Sequence, residues 1–120
     1  MDDIDAFLPL PPATFHILLA LADEDRHGYA IIQDVEARTD GELRLSAGTL
    51  YRSIQRMLEQ GLIVEPRERP VREDDDERRR YYRITPLGRK VALAEMARLE
   101  AMVAEARTMI GGRARKVRGA

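Results

Sequence analysis

Two groups of residues in this chain have the types and spacing to grip phosphates and the edges of bases. The first is Gly48, Thr49, Tyr51, Arg52, Ser53 and Arg56. Drawn as a helix, the segment puts Leu50, Ile54, Met57 and Leu58 on one side and Thr49, Arg52, Ser53 and Arg56 on the other. Hydroxyl and guanidinium groups on such a face can donate to phosphate oxygens, and arginine can hold guanine through paired hydrogen bonds. Gly48 allows close backbone approach at the helix start, where free amides attract anions. Taken alone, this pattern also fits an ordinary amphipathic surface helix. The second group is Arg78, Arg79, Arg80 and Tyr81, followed by Tyr82 and Arg83. Strand alternation puts Arg79, Tyr81 and Arg83 on one side and Arg80, Tyr82 and Ile84 on the other. Arginines near a hairpin tip can hold a nucleic-acid backbone or enter a minor groove. The acidic run Glu73-Asp74-Asp75-Asp76-Glu77 in the same loop opposes this, and a salt-bridged surface loop is the plainer reading.

Other chemistries find little support. The chain has no cysteine, which excludes disulfides, thiolate metal sites and a cysteine nucleophile, and suits a reducing cytoplasm. Its two histidines, His16 and His27, are too few for a histidine metal site. His27 suits a cap or a packing role at the start of a helix, and His16 a satisfied, partly buried place in an apolar one. There is no Ser/His/Asp pattern and no glycine-rich phosphate loop, and the carboxylates fall in loops or on exposed faces. The expectation is therefore no enzyme, no cofactor and no metal. The acidic start lacks the pattern of a secretory signal, and the apolar stretch 17–22 is far too short to span a bilayer, so no membrane partner is expected.

Net charge is −1, which alone argues against nucleic acid. Its distribution is uneven: residues 1–43 carry −8, residues 44–90 carry +4 and residues 91–120 carry +3. A basic middle can face phosphate while the acidic part faces away.

The elements that must position these groups follow from periodicity and punctuation. Residues 1–10 read as an arm that ends at Pro11-Pro12. A mostly buried helix is expected over Ala13–Ala22, a polar turn over Asp23–Arg26, and a second helix over Gly28–Thr39 with Tyr29, Ile31, Ile32 and Val35 inward. Glu42–Leu45 alternates and reads as a small strand. Ser46 caps a third helix over Ala47–Gln60, which Gly61 stops. Leu62–Val64 and Arg80–Ile84 read as strands around a charged loop. Thr85-Pro86 opens a last helix reaching about Ile110, with Ala92, Met96, Leu99, Val103, Ala106 and Ile110 spaced four and three apart as a dimerisation seam. The chain is thus read as mainly α with a small β-hairpin wing. It divides into an arm (1–10), a winged helix-turn-helix domain (11–85), a C-terminal dimerisation helix (86–110) and a basic, disordered tail (111–120).

Five segments in this order resemble the PadR-like transcriptional regulators: Phe15–Leu21, His27–Ile31, Ser46–Arg52, Glu59–Ile63 and Arg79–Gly88. The resemblance covers about residues 8–90, and Gly48–Arg52 and Tyr81–Thr85 at this separation are its most specific parts. It implies a winged-helix repressor that dimerises through its C-terminal helix and binds a near-palindromic operator. It also implies that Gly48, Thr49, Tyr51 and Arg52 face DNA, and that the chain is of the short branch without a larger effector domain. Ala47 stands where many relatives have proline. Some relatives release DNA when a phenolic acid or a flat molecule binds, and drug-binding relatives stack such ligands on tryptophan. This chain has no tryptophan and no aromatic residue after Tyr82. Met96, Met102 and Met109 could line an adaptable apolar pocket, but methionines at helical spacing are more often core. The partners expected are double-stranded DNA, a second copy of the chain and a small-molecule effector. A winged-helix module that binds protein rather than DNA is the alternative.

Overall fold

The N-terminal helix begins where Pro11-Pro12 fixes the backbone, and α1 runs over Pro12–Ala20 with Pro12 in its first turn. The computed structural model describes residues 3–68 and 79–111. After α1 come β1 (Arg26–His27), α2 (Gly28–Arg38), α3 (Ala47–Gln60), β2 (Ile63–Val64), β3 (Tyr81–Ile84) and α4 (Pro86–Met109). A short 3-10 helix over Ile4–Phe7 precedes them. The fold is mainly helical with a small three-stranded antiparallel sheet and a long C-terminal helix, the winged helix-turn-helix arrangement.

Caps set the helix boundaries. The Ser46 hydroxyl accepts from the Thr49 amide at 3.1 Å and opens α3, and the Thr85 hydroxyl accepts from the Gly88 amide at 2.9 Å and opens α4. His27 opens α2, its Nδ1 accepting from the Ala30 amide at 3.2 Å. Gly61 ends α3 in the left-handed region, at φ 78°, which glycine adopts without a Cβ penalty.

The core lies where α1, α2, α3 and the sheet meet. Ile17, Leu18, Ile31, Val35, Leu50 and Met57 are buried there together, with Leu62 and Ile63 from the wing base. Burying each such side chain contributes roughly 1.5–3 kcal/mol, so the apolar side of α3 anchors the helix while its other side stays in water. Val91 brings the start of α4 into the same core.

Four expectations need correction. Glu42–Leu45 forms no strand: Leu45 is buried as a single apolar plug, and the Leu43 amide is satisfied by the Thr39 hydroxyl at 3.0 Å rather than by a ladder. The third strand is β1 instead, which overlaps only the last residue of the expected polar turn; Arg26 pairs with Tyr82 and His27 with Tyr81. β2 pairs on the other side of β3, Ile63 with Ile84 and Val64 with Arg83, giving the order β1-β3-β2. Tyr29 points outward and is 61% exposed, because helical spacing sets it away from Ile31 and Val35, which pack. His16 is partly buried as expected, but its Nδ1 is buried without a hydrogen-bond partner.

Residues 3–10 pack onto α4. Leu10 is buried, and its amide donates to the Glu95 carboxylate at 3.3 Å. Glu95 is 3% exposed and also takes two hydrogen bonds of 2.8 Å from Arg98. The second half of α4 differs: all of residues 101–110 are exposed.

Candidate nucleic-acid interface

α3 carries the first group of residues as its periodicity demands. Leu50, Ile54 and Met57 are buried, while Gly48, Tyr51, Arg52 and Arg56 are exposed on the opposite side. Thr49 and Ser53 are half-buried at the edge of that face. The Thr49 hydroxyl accepts from the Ser46 hydroxyl at 3.1 Å, so the first turn is held rigidly. Most arginines elsewhere have partners. Arg83 makes a two-pronged contact with Asp25 at 3.0 and 2.9 Å, Arg44 reaches Glu36 at 2.6 Å, and Arg38 reaches Asp34 at 2.7 Å. Arg52 and Arg56, by contrast, have no carboxylate partner among the described residues. Guanidinium groups left in water on a helix face have much less desolvation to overcome on meeting phosphate than ones already paired inside the protein.

The wing strand stands beside α3. Arg79 and Arg80 are exposed, Arg79 Nη1 lying 3.2 Å from His27 Nε2 and Arg80 Nη1 lying 3.7 Å from the Glu65 carboxylate. Arg78 and the acidic run 73–77 lie outside the described residues. Tyr81, grouped with the surface set by strand alternation, is only 5% exposed, its ring edge-on to His27 at 5.3 Å between centroids. Both faces of β3 are covered at that point, so Tyr81 and Tyr82 are buried together and simple alternation fails. Burial pushes the Tyr82 hydroxyl pKa up, with the Glu65 carboxylate adding to the effect.

The sequence reading missed Tyr29. It shares a cleft of about 250 Å³ with Tyr51, Arg79 and Arg80, between the start of α2, α3 and the wing strand. The signal was present in its place two residues after the cap of α2 and off the side of Ile31 and Val35.

The chain matches the model of the transcriptional regulator PadR-like family over residues 17–95. It belongs to that family. It is 36% identical over 97 residues to the transcriptional regulator Rv3488 of Mycobacterium tuberculosis, covering 81% of each chain. Its fold superposes on a transcriptional regulator from Clostridium thermocellum with a TM-score of 0.67 and 27% identity, over 82% of this chain and 89% of that one. It also superposes on Bacillus subtilis PadR in complex with operator DNA, with a TM-score of 0.60 and 15% identity, over 72% of this chain and 47% of that one. As a member of this family, the chain is a transcriptional regulator rather than an enzyme. Among the described residues no helix is long and apolar enough to cross a membrane, and no group of side chains is placed to hold a metal ion.

Proposed function

We propose that this regulator is a homodimeric repressor of the cytoplasm that reads a near-palindromic operator with α3 and steadies itself on the DNA backbone with the wing. The observation that carries this reading is the exposed face of α3, where Gly48, Tyr51, Arg52 and Arg56 line up with Thr49 and Ser53 and neither arginine is engaged by a carboxylate among the described residues. The operator-bound relative from Bacillus subtilis, of the same fold, supports DNA as the partner. Arg79 and Arg80, just before β3, extend the basic surface from α3 toward the wing, with Tyr81 buried next to them in the chain.

Dimerisation rests on α4. Met96, Met102, Val103, Met109 and Ile110 are exposed large apolar side chains along one helix of 24 residues, about 36 Å long. A second copy laid along Ala92, Met96, Leu99, Val103, Ala106 and Ile110 would cover them. The two reading helices would then enter major grooves about one helical turn apart. The same face holds a groove of about 420 Å³, lined by Phe15, Met96, Leu99 and Val103 with Arg107 at its edge. Its volume and apolar lining suit a small apolar or aromatic effector, which would act by shifting the spacing of the two reading helices.

Fluorescence anisotropy of the purified protein against DNA from upstream of its own gene tests the reading, with a scrambled duplex as control. Tight, salt-sensitive binding to the upstream duplex is expected, and Arg52→Ala should weaken it and lower the salt slope by about one if Arg52 holds a phosphate. Absence of binding to either duplex at low salt would point instead to a protein-binding module.

A further inference from the structure

Tyr29 is a large aromatic side chain held in water on a helix whose buried residues are Gly28, Ile31 and Val35. Tyr51, half-exposed on α3, faces the same space. The two tyrosines come from different helices yet border one cleft of about 250 Å³, which Arg79 and Arg80, just before β3, also line. The cleft is also built tightly. The Tyr51 hydroxyl lies against the backbone of Gly28, so close that a Cβ at that position would collide with it. Glycine at 28 therefore positions Tyr51, and α2, α3 and the wing strand meet around that contact.

We propose that this cleft seats one phosphate of the DNA backbone, with Tyr29 and Tyr51 as hydroxyl donors and Arg79 and Arg80 supplying the charge. The proposal rests on the DNA-binding reading above and adds Tyr29, and the cleft itself, to it. The chemistry matches the occupant. A phosphodiester carries one negative charge and two strong acceptor oxygens, and the cleft lining includes two neutral donors and two guanidinium groups. Arg80 pairs with the Glu65 carboxylate at 3.7 Å, largely in water, and also reaches the Tyr82 hydroxyl, so its exposed ion pair costs little to exchange for phosphate. The cleft lies at the junction of reading helix and wing, so a phosphate seated there sets the register of α3 in the groove without itself reading sequence.

The test measures binding of the full-length protein and of Tyr29→Phe, Tyr51→Phe and Arg80→Ala to two duplexes, the upstream DNA and a mixed-sequence control, across a salt series. Each Phe variant loses a neutral hydrogen bond, so about three- to tenfold weaker binding is expected, by the same factor on both duplexes and with an unchanged salt slope. Arg80→Ala should lower the slope by about one on both. Unaltered affinity of folded Tyr29→Phe on both duplexes would overturn the cleft while leaving the DNA-binding reading standing. Weakening on the upstream duplex alone would also overturn it, since Tyr29 would then be reading a base. Failure of the unmodified protein to bind either duplex would overturn the DNA-binding reading, and the cleft with it.

Discussion

Glu95 shows how a single carboxylate ties the N-terminal residues to the rest of the molecule. It is buried, held by Arg98 and by the Leu10 amide, and the Arg98 guanidinium keeps its pKa below the ordinary value of 4.5 despite the opposing effect of burial. The sign follows from linkage. The folded state binds the proton less readily than the unfolded chain, so the stabilisation is complete above about pH 4.5 and is lost as pH falls through the folded value. Glu95→Gln should therefore lower stability at neutral pH by about 1 kcal/mol and flatten the acid limb of the curve, as thermal unfolding between pH 3 and pH 7 would show. A variant with the wild-type pH profile would mean that Glu95 contributes no net pairing. His16 has the opposite environment: burial first and Arg38 second lower its pKa below 6.5, so it resists protonation in the folded chain.

At the scale of elements, α3 and α4 were the most legible. Both have a hydroxyl cap, a clear apolar period and a marked start, and the expected span of α3 matches the observed one residue for residue. Ser46 does double duty there, capping the Thr49 amide and donating to the Thr49 hydroxyl. Ser46→Ala should cost about 1 kcal/mol of stability and weaken DNA binding beyond that of an equally destabilised core variant, measured by denaturant unfolding beside anisotropy. The sheet was less legible. β1 is two polar residues, Arg26 and His27, without alternation of its own, and it exists because β3 offers a free edge beside it. Tyr81 was misjudged because strand alternation cannot show that its ring packs edge-on against His27 of the neighbouring strand. Tyr29 was misjudged because its ring was read as core, although at 100° per residue it lies about 160° from Ile31, away from the buried residues of α2. Most of the candidate surface could thus be named from sequence, and what had to come from the structure was the cleft that gathers residues from three elements.

At the scale of the whole molecule, the apolar content of α4 exceeds what one copy can bury. Its first turns rest on α1 and on the 3-10 helix, and the exposed run beyond them ends with Ile110 at 85% exposure. Val103→Glu should therefore shift the protein toward monomer, as sedimentation velocity at micromolar concentration would show. It should also weaken operator binding far more than binding to a single half-site, because two linked readers gain through effective concentration. A wild-type protein that sediments as a monomer at that concentration would contradict the proposed dimer.

The two outer strands of the sheet are each two residues long, and the strand between them is already paired along both edges. Such a sheet offers almost no row of unsatisfied amides and carbonyls on which another chain could template. Runaway strand-to-strand growth, the usual hazard of an exposed β edge, is thereby closed off. In the proposed dimer, association would fall to the helical surface of α4, where it can stop at a closed pair, so an exposed apolar face would not by itself seed fibres.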